Sequence, residues 1–333
     1  VHNVQPHIGY IHSGIEKMTE SLSYPQIGHL TDRMDYLSAH QNNEAVALCV
    51  ENALQIEVPD RVKYIRTIMS ELSRLASHQL WWCVMGMDMG ALTTFFYGLR
   101  DREDILDIFE ETCGARLTVN YSIPGGLMFD IHPNFQRDVK AFITKFRTKL
   151  PEYDRLLSGN VIFTERTKGV GFLSREDAIA YGVTGPTARA SGFACDLRKH
   201  RPYSAYDKVN FNEVLSDVGD TYARYQVRMQ EMWESMNIIE QLIDNIPEGD
   251  YAVKMKGVVK LPEGEFYQRV ETARGEFGVF IVSDGKKNPY RVKFRSPGFS
   301  NLFTINHIAK GWKIADLVAI MSTFDLVIPD IDR

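Results

Sequence analysis

The sequence has no CxxC pair, no HExxH and no GxGxxG. Its four cysteines, Cys49, Cys83, Cys113 and Cys195, are scattered through 333 residues. A zinc site or redox dithiol needs thiols at close spacing, so neither is expected. Scattered cysteines fit buried, reduced thiols and an intracellular chain. Glycines pair at Pro124–Gly126 (PGG) and Gly169–Phe172 (GVGF), but neither joins a clear strand to a helix. Nucleotide binding therefore has little support. A net charge of −5 leaves no basic footprint, which argues against a nucleic-acid partner. No apolar run approaches the roughly 20 residues that span a bilayer. The nearest, LWWCVMGMDMGAL at 80–92, is short and carries Asp88. The opening VHNVQPHIGY lacks the basic and apolar regions of a signal peptide. Val1 to Val4 reads like the end of a strand, as if a longer protein had been trimmed. No repeat, low-complexity tract or long linker divides the chain, so one domain over 1–333 is expected.

What is present is the balance of a globular protein, 44% hydrophobic and 24% charged. Helical spacing dominates the first half. After Pro59, Ile65, Ile68, Met69, Leu72, Leu75 and Ala76 fall on one face of a helix. Helices are also expected over 101–113, stopped by Gly114, and over 134–157 despite Pro151. Residues 220–246 carry Tyr222, Tyr225, Met229, Met232, Met236, Ile239 and Ile243 at spacings of 3 and 4, a bundle seam. Ser174 to Asp177 reads as the capped start of a short helix ending near Gly182. The period then changes to two, with strands expected over 252–259, 265–273, 277–283 and 289–295. The last two flank a hairpin turn at SDGKKNP, and a helix over 313–321 follows. The fold class is α+β, mostly helical, with a helix-bundle core and a small antiparallel sheet.

Several polar groupings invite a chemical reading. Residues 32–42, DRMDYLSAHQN, crowd an arginine, acids and a tyrosine into a stretch with few aliphatics. His2, His7, His12, His29 and His40 come early, but their spacing matches no metal motif. His7, His12 and Glu16 could share a face, yet a metal there would need more ligands. Asp88 stands among Met85, Met87, Met89 and small residues, which suggests burial and a need for a partner. On residue type alone, a loop aspartate satisfied by backbone amides is the favoured alternative. Glu71, Arg74 and His78 share one helix stripe, usually a solvated face. Trp81 and Trp82 follow directly, so a subunit interface is the competing expectation.

Together, PHIGYIHSGIEKMTE (6–20), DRMDYLSAH (32–40), ELSRLASH (71–78), MDMGALTTFFYGLRDRE (87–103), SGFACDLRK (191–199), GEFGVFIVSDG (275–285), PYRVKFRSPGF (289–299) and the terminal Asp332-Arg333 resemble one family. It is the quinone-site subunit of respiratory complex I, NADH:quinone oxidoreductase, itself homologous to the large subunit of nickel–iron hydrogenases. Ser13 departs slightly from the pattern. The family's opening strand hairpin, with a histidine-bearing GPxHPxxHG-like loop, has no counterpart here.

The resemblance implies a hydrogenase-large-subunit-like fold without the hydrogenase metal. The hydrogenase RxCGxC and DPCxxC motifs align with residues 33–38 and 325–330, putting Asp35, Ser38, Val327 and Asp330 where thiolates would be. Asp, Ser and Val cannot make a soft-metal site, so no nickel or iron is expected in this chain. A quinone gaining electrons develops negative charge on oxygen and needs a neutral donor. A phenol supplies one at neutral pH. By resemblance Tyr36 binds the quinone headgroup, and Asp88 is the aspartate that pairs with the loop histidine and holds its proton. Arg33 and His78 would face a 4Fe–4S cluster in the partner subunit, where a cation and an N–H donor stabilise the reduced state. Implied partners are that iron–sulfur subunit, the small peripheral-arm subunit encoded beside it, a ferredoxin-like subunit and the quinone-channel membrane subunit. The implied place is peripheral, on the cytoplasmic face of a bacterial inner membrane or the mitochondrial matrix side. The competing expectation is a non-catalytic scaffold in a related ferredoxin- or hydrogenase-type membrane complex.

Overall fold

The computed structural model describes residues 1–255 and 257–333. It is α+β and mostly helical, with a two-stranded and a three-stranded antiparallel sheet among the described residues. The helix Asp60–Asp88 is the spine. Its face carrying Val62, Ile65, Ile68, Met69, Leu72 and Leu75 is fully buried. The helices Leu92–Cys113 and Thr221–Ile243 pack along it. Met229, Met232, Met236, Ile239 and Ile243 are all buried in this bundle, so the expected seam forms. Asp220 caps the Thr221–Ile243 helix, its Oδ1 accepting from Ala223 N at 2.7 Å.

A second apolar cluster lies between the helix Ala39–Leu54 and the three-stranded sheet. The strands Gly264–Thr272, Gly275–Ser283 and Arg291–Arg295 pair in sequence order. Phe277, Val279 and Ile281 alternate inward, and Val292 and Phe294 join them from the neighbouring strand. A third cluster joins Leu173, Ala178 and Val183 to the late helices Pro297–Ile308 and Ile314–Ser322.

Several boundaries differ from expectation. The helix expected from Asp101 begins at Leu92. Gly98 allows it: a Cβ there would lie 2.5 Å from Cys83 Cβ, so the two helices touch through bare backbone. Gly114 ends it in the left-handed region at φ 75°, as expected. The helix Phe135–Tyr153 widens into a π-type turn over Asp154–Ser158 just past Pro151. The strand expected over 252–259 does not form in the described residues, where Ala252 makes a single bridge to Gly126; position 256 lies outside them. Val1 to Val4 is in no sheet either. It lies against the late helices, with Val4 N donating to Asn306 Oδ1 at 2.9 Å. The short helix Arg175–Ala180 is capped by Ser174, whose Oγ accepts from Asp177 N at 3.0 Å.

Candidate functional site

The DRMDYLSAHQN stretch is a polar turn leading into the Ala39–Leu54 helix, and its side chains divide between inside and outside. Asp35 and Ser38 are buried, while Tyr36 is 40% exposed. Tyr36 faces a cavity of about 450 Å³. One wall is the C-terminal stretch of the long helix, where Leu80, Trp81, Val84, Met85 and Asp88 share a face. The opposite wall is Met321 and Ser322 with the segment Asp325–Ile328. The site is therefore an apolar slot with Tyr36, Asp88, Ser322 and Asp325 as its polar groups. Trp81 is fixed in it by its Nε1, which donates to Ser322 O at 2.8 Å.

Asp88, expected to be buried, is exposed at the last residue of its helix. Of its methionine neighbours, Met85 is buried in the core while Met87 is exposed, so the apolar context marks the end of the core rather than its interior. Ser322 Oγ donates to Asp88 Oδ2. Tyr36 and Asp88, far apart in sequence, thus share one cavity.

Arg33 and His78 are not in it. Arg33 is exposed, with Nη1 donating to His29 O at 2.6 Å. His78 is completely buried, and its Nε2 is 3.0 Å from Glu231 Oε2. Burial holds its pKa below the usual histidine range, with Glu231 opposing. His78 has no open face to turn toward a partner. Glu71 and Arg74 are fully buried too, so the expected solvated or interfacial stripe is instead an interior ion network. Glu71 meets Arg74, Arg198, Tyr206 and Ser235. Burial raises its pKa, but Arg198 and Arg74 outweigh that and hold it at about 2. Those partners are more than a hundred residues away, except Arg74, so no local pattern announced them.

Sequence reasoning missed Arg274. It sits at the hairpin tip between the strands Gly264–Thr272 and Gly275–Ser283, with its side chain buried against Asp35, the residue before Tyr36. Its Nη1 donates to Asp35 Oδ2 at 2.9 Å, Ser77 Oγ at 3.1 Å and Ser38 Oγ at 3.3 Å. Its Nη2 donates to Asp325 Oδ1 at 3.1 Å, and its Nε to Asp325 O at 2.8 Å. Asp325 has φ 53°, a left-handed conformation that this grip maintains. Asp330 lies nearby, buried, with Ser296 Oγ donating to its Oδ2. Burial raises the Asp330 pKa to about 7, and the charge of Asp35 adds to the effect. The aligned positions Asp35, Ser38 and Asp330 thus gather around a guanidinium. A cation is already in place there, and the donor set does not suit nickel or iron.

Glu16, in the early grouping with His7 and His12, is taken by Lys293 at 2.8 Å and Arg333 at 3.2 Å. Glu111, His132 and Asp138 come close enough to hold an ion. However, Asn134 N donates to His132 Nδ1 at 3.1 Å, which leaves the proton on Nε2, the atom facing the acids. A protonated Nε2 cannot be a ligand. The four cysteines are free thiols. No helix of the described residues is long and apolar enough to cross a membrane.

The family profile described as "Respiratory-chain NADH dehydrogenase, 49 Kd subunit" matches residues 88–259 and 251–333. A relative from Bacteroides thetaiotaomicron, named as the C/D subunit of NADH-quinone oxidoreductase, is 58% identical over 333 residues, covering all of this chain and 63% of its own. The C/D subunit of Bacteroides fragilis is 59% identical over 325 residues, 98% of this chain and 61% of its own. The chain thus spans less than two thirds of these relatives. A Bacillus cereus relative, named as the D subunit of NADH-quinone oxidoreductase, is 45% identical over 328 residues, 98% of this chain and 90% of its own.

Proposed function

The chain belongs to the 49 kDa subunit family of the respiratory-chain NADH dehydrogenases, and from that premise we propose that it forms the quinone headgroup site of an NADH:quinone oxidoreductase. It is active only in the assembled complex. The observation that carries this reading is the meeting of Tyr36 and Asp88 in one slot walled by Trp81, Met85 and Met321. Apolar walls hold a quinone ring and exclude water, which strengthens each polar contact inside.

A reduced quinone oxygen gathers negative charge, and the Tyr36 hydroxyl is the donor placed to stabilise it. Asp88, held by Ser322, is the acid at the other polar point of the slot and the group that handles a proton there. Electrons are supplied by a 4Fe–4S cluster of the partner subunit. Exposed Arg33 is the side chain available to face that cluster. The task first shared with His78 falls to Arg33, because His78 is enclosed.

Partners of this reading are the cluster-bearing subunit, the small peripheral-arm subunit, the ferredoxin-like subunit and the quinone-channel membrane subunit. The double letter in the C/D name of the Bacteroides relatives supports a further subunit's segment joined to a chain of this kind. Exposed Ile314, Val318, Met321 and Ile328 around the slot support docking at a membrane-embedded partner. The place is the cytoplasmic face of a bacterial inner membrane, or the matrix side in mitochondria.

Tyr36→Phe tests the reading. Quinone reductase turnover should fall about a hundredfold with assembly and the cluster's paramagnetic signal intact. Wild-type turnover in an assembled variant overturns it. The scaffold alternative predicts losses that follow complex abundance alone.

A further inference from the structure

Beside the slot, the buried carboxylates of Asp35 and Asp330 and the partly buried Asp325 of the slot wall gather around one guanidinium. Asp35, Asp325 and Asp330 carry three negative charges if all are ionised, against the single positive charge of Arg274. Arg274 bonds Asp35 and Asp325 directly but makes no hydrogen bond to Asp330. Asp330 is 1% exposed, and its Oδ1 is a buried oxygen with no donor. An ionised carboxylate would leave that oxygen both charged and unpaired, which is costly in the interior. A carboxyl group carrying its own proton would not.

We propose that Asp330 holds a proton next to the slot, against Asp35 and Arg274, and supplies it to the quinone reduced beside Tyr36. The proposal rests on quinone chemistry at Tyr36. Position favours the delivery: Val327 and Ile328, in the same short turn as Asp330, line the slot, and Asp35 is the residue before Tyr36.

Conversion of a quinone to a quinol takes two electrons and two protons. The electrons come from the partner's cluster. For one proton, the O–H bond of Asp330 breaks and the Asp35 carboxylate takes the proton. Asp35 then gives it up toward the Tyr36 side, where the new O–H bond forms on the quinone oxygen. Solution supplies the second proton and restores the one on Asp330. Asp330 acts through Asp35 and is a positioning residue for the proton rather than a group touching the ring.

The groups facing Asp330 are consistent with this. Asp35 disfavours its ionisation, while Arg274, Arg333 and the Ser296 hydroxyl favour it. Arg333 is itself held by Glu16, and Asp325 draws on Arg274 from the other side. With burial dominating, the group titrates at about 7, so it is protonated below that pH and empty above it.

The test is the pH dependence of quinone reduction by the assembled complex. Turnover of the unaltered complex should fall as pH rises through about 7. Asp330→Asn should lower kcat about tenfold to a hundredfold at pH 7, leave KM unchanged and abolish that descending limb. Asp330→Glu should restore the limb. Ser296→Ala removes a bond that favours ionisation, so the limb should move up by about half to one pH unit; this variant keeps the test decisive if Asp330→Asn assembles poorly. An Asp330→Asn complex with wild-type turnover and profile, or a Ser296→Ala limb that does not move, overturns the proton role. If Tyr36→Phe is crippled in the same assay, the quinone site survives that failure. Full turnover in Tyr36→Phe overturns the site itself.

Discussion

Arg274 is 1% exposed along its side chain and grips carboxylates from two segments far apart in sequence, Asp35 and Asp325. Such a pair contributes little over a well-packed apolar substitute, yet breaking it is expensive because a buried charge is left alone. Arg274→Leu strands both aspartates, and the expected destabilisation is about 3–5 kcal/mol. Arg274→Lys keeps the charge but loses the fork that reaches Asp35, Ser77 and Asp325 at once, so it should fall between. Thermal melting of the assembled complex, with the yield of assembly, checks both; equal melting of Arg274→Leu and the unaltered complex refutes the expectation. The alignment to hydrogenase motifs marks Asp35, Ser38 and Asp330 as replaced ligand positions. It gives no hint of the arginine, because a hairpin tip ordinarily faces water.

The helix Asp60–Asp88, which forms one wall of the slot, packs against the helix Leu92–Cys113 at two glycines. At Gly98 a Cβ would meet Cys83 Cβ at 2.5 Å, and at Gly86 the Thr94 hydroxyl lies closer still. Gly98→Val must push the helices apart, at an expected cost of about 1–3 kcal/mol. Gly114→Ala meets no neighbour and is strained only by its positive φ, at about 1–2 kcal/mol. The two differ in reach: Gly98→Val should also weaken quinone reduction, because Trp81 and Val84, beside Cys83 on the helix it would push away, line the slot, while Gly114→Ala should not. Melting curves and turnover measured on one preparation separate them. The stretch before Asp101, LTTFFYG, is β-branched, aromatic and glycine-bearing, so propensity hid a helix that close packing imposes.

Across the whole molecule, buried titratable groups set how stability responds to acid. Burial depresses His40 from 6.5 to about 3, so between those values the unfolded chain binds a proton that the folded chain refuses. Its contribution is therefore lost as pH falls through that window. Burial raises Asp32 and Asp330 from 3.8 to about 7; their contribution is present at low pH and lost as pH rises toward 7. These effects oppose each other between about pH 4 and 6.5. Below that, Glu71 and Asp196, both held at about 2 despite burial, lose their stabilising charge as they are protonated. With two aspartates against one histidine, melting temperature should rise modestly from pH 7 to 4 and drop steeply below 4. In His40→Phe the opposition is removed, so the melting temperature should rise more steeply as pH falls from 6.5 to 4 than in the unaltered protein. A variant profile that matches that of the unaltered protein would show that His40 is not the acid-sensitive group.

The sequence by itself determined the class of fold and the identity of the family. The 3- and 4-residue spacing along 62–76 and 229–243 and the alternation at Phe277, Val279 and Ile281 each state which face is buried, and they do so from neighbouring residues alone. It also singled out Tyr36 and Asp88, which the folded chain brings into one slot. Only the tertiary structure decided that Asp88 is exposed, that His78 is enclosed and that Arg274 is held by Asp35 and Asp325. The physical reason is common to all three. Burial of an ionisable side chain is decided by whether a partner arrives to meet it: Glu231 reaches His78, and Asp35 and Asp325 reach Arg274, from distant segments, while Asp88 meets the Ser322 hydroxyl and stays exposed.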